Sequence, residues 1–200
     1  MCGKTAVLLE SAIRSARIGL TVVIVCPTGA LVTTLKAQLP EMPGIDRINI
    51  DTIQGILKYK RGKDAAVSWM PPSGFRKYEV VYCDEASQYD DLEWQRLYTT
   101  LKEQPHSPYC IVVADFQQLR PVSGGTLCRR FCECMHSVEL KTVYRSTDER
   151  HLVFQNRIRE ACGGGRGSGS VCGRMRGGDG LGVWRDEECG GMRAGVGLGV

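Results

Sequence analysis

Tyr78-Glu79-Val80-Val81-Tyr82-Cys83-Asp84-Glu85-Ala86-Ser87 is a short apolar run that stops abruptly on two adjacent carboxylates. Val80 and Val81 are β-branched and stand among aromatic residues, a composition that predicts a buried strand of a parallel sheet. Open parallel sheets place their ligands beyond the carboxyl ends of the strands, where Asp84 and Glu85 emerge. Two readings are open for such a pair. It is either the solvated turn that closes a strand, or a phosphoryl-transfer site whose first carboxylate holds Mg²⁺ and whose second polarises the attacking water.

The neighbouring segments favour a site. Asp91 to Gln104 has the spacing of an amphipathic helix, with Leu92, Trp94, Leu97, Tyr98 and Leu101 expected toward the sheet. Tyr109 to Ala114 then predicts another buried strand, and it runs directly into Asp115-Phe116-Gln117-Gln118-Leu119-Arg120-Pro121-Val122. One strand ending on Asp-Glu and another ending on Asp and two glutamines gather polar groups at one sheet edge. Gln118 is either part of that site or a cap on its turn.

Upstream, Thr21 to Cys26 is a continuous apolar run ending on Pro27-Thr28-Gly29 before a helical pattern through Leu31, Leu35 and Leu39. Strand, polar turn and helix form the α/β repeat. The turn serves either as a ligand contact or as a threonine cap. Arg47 to Ile50 predicts a short strand, and Asp51-Thr52-Ile53-Gln54-Gly55 a turn into a helix. At the start, Gly3-Lys4-Thr5 opens a helix-forming run and matches the last third of the phosphate-binding loop G-x-x-x-x-G-K-[ST]. In the full loop, backbone N–H groups cradle the phosphates, the lysine reaches the β and γ phosphates, and the hydroxyl ligates Mg²⁺. The first glycine and the strand that should feed the loop are not in the sequence. A fragment, or a chain begun at an internal methionine, reconciles the two.

Lys58 to Lys77 is a polar basic loop carrying Trp69, suited either to solvent or to a single-stranded nucleic acid held by charge and stacking. Cys128, Cys132, Cys134 and His136 offer no C-x-x-C pair and no second cluster at finger distance, which disfavours zinc. Val138 to Val143 predicts the last strand, followed by Tyr144-Arg145-Ser146 and a helix from Thr147 through Ile158. Arg145 is either a phosphate contact or a surface ion pair.

A chain of 200 residues, 42% hydrophobic, can bury one core. The division expected is a domain over 1–162 and a Gly/Arg-rich disordered tail over 163–200. A net charge of +4 permits nucleic acid without arguing for it. The ten cysteines are scattered, and no signal peptide precedes them, so the expectation is a reducing, intracellular compartment, nucleus and cytoplasm not being distinguished. No apolar run approaches the roughly 18 to 20 residues that cross a bilayer, so no membrane is expected.

Taken in order, Gly-Lys-Thr, Cys-Pro-Thr-Gly, Thr-Ile-Gln-Gly, Val-Tyr-Cys-Asp-Glu-Ala-Ser, Ala-Asp-Phe-Gln-Gln-Leu-Arg-Pro-Val and Val-Tyr-Arg-Ser resemble the first motor domain of a superfamily-one DNA helicase. The similarity is greatest to the RecD-like branch, which moves five-prime to three-prime, and covers about residues 1 to 160. It implies a RecA-like parallel sheet with helices on both faces, its first strand missing. It implies ATP and Mg²⁺ as cofactors. Gly3, Lys4 and Thr5 would hold the phosphates, with Thr5 and Asp84 on the metal. Glu85 would act on the water, Gln118 would sense the γ-phosphate, and Arg145 would stabilise the transferred phosphoryl group. Pro27, Thr28 and Thr52 would touch the backbone of single-stranded DNA, and a second motor domain is expected in the complete protein. Ala114 stands where the family usually has glycine. The function implied is an ATP-binding fragment of an ATP-dependent DNA helicase. The rival readings are a catalytically inactive nucleic-acid binding module and a non-functional truncated product.

Overall fold

The apolar runs become four parallel strands, β1 (Val22–Cys26), β2 (Ile48–Thr52), β3 (Val80–Cys83) and β4 (Tyr109–Ala114), in the spatial order β2-β1-β3-β4. The computed structural model describes residues 3–58, 69–116, 118, 121, 123–133, 135–139, 153, 157 and 170–173. Successive strand side chains point to opposite faces, and because both faces are covered β1, β3 and β4 read as near-continuous apolar runs, whereas the edge strand β2 alternates Ile48, Asn49, Ile50 and Asp51. Val23, Val25, Val81, Cys83, Cys110 and Val112 join one core cluster, while Val22, Ile24, Val80, Tyr82 and Val113 join the other.

One layer is made by α1 (Lys4–Arg17), which buries Leu8, Leu9, Ala12, Ile13 and Ala16, and by α2 (Gly29–Gln38), which buries Leu35. The opposite layer holds α3 (Ile53–Leu57), α4 (Asp91–Lys102) and α5 (Leu127–Glu133). This is the α/β sheet with helices on both faces that the sequence predicted. Large side chains carry the second layer: Trp94 and Leu97 of α4 are fully buried, and truncating either to alanine should cost about 2–5 kcal/mol. Leu92 departs from the expectation, being 44% exposed. At roughly 100° per residue it lies almost opposite Trp94 on the helix, so both cannot face the sheet.

Two short strands extend the sheet beyond β4. They are β5 (Ser137–Glu139) and β6 (Ser170–Gly173), and the full order is β2-β1-β3-β4-β6-β5. β6 runs antiparallel to both neighbours. It lies within the segment whose glycine-rich composition predicted no strand. Pairing there needs only the main-chain groups that every residue but proline carries, and β4 and β5 supply the complementary ones.

Candidate active site

Strand register sets the site. Cys26 pairs with Thr52, Val25 with Cys83, and Cys83 with Val112, so the residues following β1, β3 and β4 emerge at one carboxyl edge together with the last residue of β2. Gly3 precedes α1 with φ 73°, a left-handed conformation that glycine adopts without steric cost. Its carbonyl accepts the first helical bond from the Val7 N–H, 3.0 Å away. Lys4 therefore starts a helix aimed at the sheet edge. It is 1% exposed, and its Nζ lies 2.8 Å from Oδ2 of Asp115, the residue after β4.

The Asp84 main-chain N–H continues the ladder by donating to the Val25 carbonyl. Its Oδ1 accepts the Glu85 N–H at 3.0 Å, and its Oδ2 is buried without a hydrogen-bond partner. Glu85 takes a left-handed φ of 45°, uncommon for a residue with a side chain, and its Oε2 is also buried and unpartnered. Below them, the Tyr89 hydroxyl lies 2.7 Å from the Val25 carbonyl oxygen and 3.2 Å from that of Asp84, tying the end of β3 to β1. The Trp94 indole N–H donates to the Ala86 carbonyl. Burial, and then the neighbouring Glu85 charge, push the Asp84 carboxyl up to about 6, while the Glu85 N–H and the Lys4 ammonium pull the other way.

Two orphaned carboxylate oxygens beside a buried ammonium are the donor set that a hard divalent cation and an anionic ligand would complete. The residues present thus fit Mg²⁺ at Asp84 and phosphate at Lys4. Thr5 lies half-buried in the first turn of α1, one residue on.

Gln118 lies in the loop that Asp115 opens, its main-chain N–H donating to the Asp115 carbonyl at 3.2 Å. Its Oε1 accepts from Gln88 Nε2 at 3.4 Å, and the Asp115 main-chain N–H donates to the Ser87 hydroxyl at 3.2 Å, so the two strand-end loops are stitched together. Thr28 and Thr52 cap α2 and α3, their hydroxyls accepting the N–H groups of Leu31 and Gly55. Each hydroxyl keeps its own proton for donation, and Pro27 adjoins them at the β1 end. The Trp69 indole N–H donates to the Leu57 carbonyl, and the Arg96 guanidinium lies over its ring. Arg145 lies outside the described residues, as do Lys60, Arg61 and Lys63 of the basic loop. Sequence reasoning quoted Asp115 without giving it a role. The signal available was a carboxylate following a buried strand, the same one that marked Asp84. Among the described residues, no group of three or more His, Cys, Asp or Glu side chains has metal-binding geometry, and no helix is long and apolar enough to cross a membrane.

Residues 2–165 match the protein family described as the AAA domain. A solved structure of two coordinating Pif1 helicases, addressing DNA unwinding at forked duplex DNA, superposes with a TM-score of 0.54 at 16% identity, over 79% of this chain. The chain spans 41% of the length of that Pif1 chain. The methyltransferase domain of a bacterial Hen1 (15% identity, 86% of this chain and 95% of that one) and the YcgJ protein of a Bacillus (8%, 85% and 94%) each reach only 0.35, too loose an overlap to bear on the fold. No curated protein matches the sequence.

Proposed function

The chain belongs to the AAA domain family and shares its fold with a Pif1 helicase, and from that premise we propose that it is the ATP-binding part of a superfamily-one, RecD-like DNA helicase whose complete form moves along single-stranded DNA. The observation that carries this reading is the presence at one sheet edge of the buried Lys4 ammonium, paired with Asp115, and of two buried, unpartnered carboxylate oxygens on Asp84 and Glu85. Gly3, Lys4 and Thr5 hold the phosphates, Thr5 and Asp84 hold Mg²⁺, and Glu85 orients the attacking water. When bound, the metal neutralises charge on the phosphates. Gln118, in the loop that Asp115 opens, responds to the γ-phosphate. Arg145 is assigned a phosphate contact by the same reading. Pro27, Thr28 and Thr52 are the contacts to the strand, which position it without reading its sequence. Cys26, Cys83, Cys110, Cys128 and Cys132 are free and buried, which supports a reducing, intracellular compartment. A second motor domain would close over the nucleotide, so unwinding is assigned to the complete protein.

The test is binding of a fluorescent Mg-ATP analogue by the full chain, with Lys4→Ala and Asp84→Asn in parallel. Binding by the parent chain and its loss in both variants is the expected result. Equal binding by the variants would remove Lys4 and Asp84 from the site.

A further inference from the structure

Three successive carbonyl oxygens run through the turn that carries the two carboxylates, and each has its own hydrogen bond. The Asp84 oxygen lies 3.2 Å from the Tyr89 hydroxyl, and the Glu85 oxygen accepts the Gln88 N–H at 2.9 Å. The Ala86 oxygen accepts the Trp94 indole N–H and the Tyr89 main-chain N–H, both at 3.2 Å. Glu85 stands in the middle of this run with its left-handed φ of 45°. A residue with a side chain keeps such a conformation only where its surroundings over-determine it. Two buried aromatic side chains, Tyr89 and Trp94, hold the outer carbonyls, and their rings pack 5.7 Å apart.

The Tyr89 bond bears directly on the carboxylates. The Asp84 carbonyl and the Glu85 N–H belong to one planar trans peptide unit and point opposite ways across it. The hydroxyl meets the carbonyl end, and Asp84 Oδ1 accepts the N–H end at 3.0 Å. Fixing that plane commits Oδ1 to the backbone and leaves Oδ2 as the oxygen without a partner, beside the unpartnered Oε2 of Glu85. The same hydroxyl lies 2.7 Å from the Val25 carbonyl oxygen, so the plane is fixed against β1 and not only within its own turn. That Val25 oxygen also accepts the Asp84 N–H at 2.9 Å and keeps it when the hydroxyl is removed, so the loss falls on the Asp84 carbonyl. We propose that Tyr89 is a positioning residue of the divalent-cation site, its hydroxyl setting the Asp84–Glu85 peptide so that one oxygen of each carboxylate stays available to the metal and its water. The inference rests on the proposed function and goes beyond it by making metal affinity depend on a residue that touches neither metal nor nucleotide.

The test titrates a fluorescent ATP analogue against the full chain in saturating Mg²⁺ and in EDTA, for the parent chain, Tyr89→Phe, Asp84→Asn and Leu97→Val, with a thermal melt of each. The ratio of the two affinities measures what the cation contributes. Tyr89→Phe keeps the ring and loses only the hydroxyl, and removing an outer hydrogen bond of this kind should lower the ratio by about tenfold or more. Its affinity in EDTA, which depends on Lys4, should stay at the parent value. Leu97→Val trims a fully buried side chain that has no hydrogen bond to give, and it should lower Tm without moving the ratio. A tyrosine that only supports the fold would behave in the same way. An unchanged ratio in Tyr89→Phe, or an equal loss of affinity in both buffers, therefore overturns the proposal. A parent chain that gains nothing from Mg²⁺, or whose ratio survives in Asp84→Asn, refutes the metal assignment at Asp84 and this inference with it, so the two failures are told apart.

Discussion

At the scale of single residues, the ion pair between Lys4 and Asp115 makes a specific demand on nucleotide binding. The lysine is fully buried and its Nζ is already 2.8 Å from a carboxylate. Under the proposed function, phosphates arriving at Lys4 would replace one anion by another, and Asp115 would have to yield as the nucleotide enters. Asp115→Asn removes the charge and leaves the ammonium undercompensated, which should cost about 3 kcal/mol and lower Tm by roughly 6–12 °C for a chain of this size. Saturating Mg-ATP supplies the lost anion and should raise Tm more in the variant than in the parent chain. Thermal melts with and without nucleotide decide it, and an equal rise in both would show that Asp115 does not compete for Lys4. Lys4, Asp84 and Glu85 stood out in the sequence as candidates because each belongs to a short local pattern, and the fold places all three at the carboxyl edge of the sheet. The role of Asp115 was not legible there, since its partner lies 111 positions away and only the folded sheet brings the two together.

At the scale of elements, α5 depends on a residue of α4. Asp91 Oδ1 accepts the N–H groups of Gly125, Thr126 and Leu127, and its Oδ2 takes the Thr126 hydroxyl, so one carboxylate organises the entry to α5. Gly124 packs against the same carboxylate with φ 70°, and a Cβ there would collide with it. Burial pushes the Asp91 carboxyl up, but the hydrogen bonds from Leu127, Gly125 and Thr126 outweigh it and hold the group below 3.8. A folded value depressed below the unfolded one contributes stability above the unfolded value of about 3.9, which is lost as pH falls through the folded value. Melting temperature followed from pH 6 downward should therefore fall below about pH 4, and less steeply in Asp91→Asn, which already lacks the charge. Identical pH profiles would exclude Asp91 as a source of the acid sensitivity. Gly124→Ala should disturb the same anchor at every pH. β1, β3 and β4 were readable as apolar runs because both faces of the sheet are buried there. The anchoring of α5 was not, because capping by a side chain from another helix leaves no periodicity in either segment.

At the scale of the whole molecule, the sheet is not finished by its parallel strands. β5 joins the sheet through β6, and β6 pairs on one side with Ile111 to Ala114 and on the other with Ser137 to Glu139. The composition of residues 163–200 gave no sign of this, because strand addition through the backbone needs neither a hydrophobic pattern nor a long segment. Val171 is the middle of three β6 residues, Ser170, Val171 and Cys172, that are paired with both neighbours; its own partners are Val113 in β4 and Val138 in β5. Proline there removes an N–H from the ladder and leaves an acceptor without its donor, a loss of about 1–3 kcal/mol. The larger effect concerns assembly. Once β6 detaches, the edge of β4 presents unpaired main-chain groups, and such an edge templates pairing with another copy. Val171→Pro should therefore lower Tm by roughly 2–12 °C and shift the protein from monomer toward larger species with rising concentration, as read by sedimentation velocity. The proposed nucleotide site draws on Gly3, Lys4, Thr5, Asp84 and Glu85 and on no residue of β6, so Mg-ATP binding should survive the change in whatever monomer remains. A variant that melts and sediments like the parent chain would show that Ser170–Gly173 does not close the β4 edge in solution.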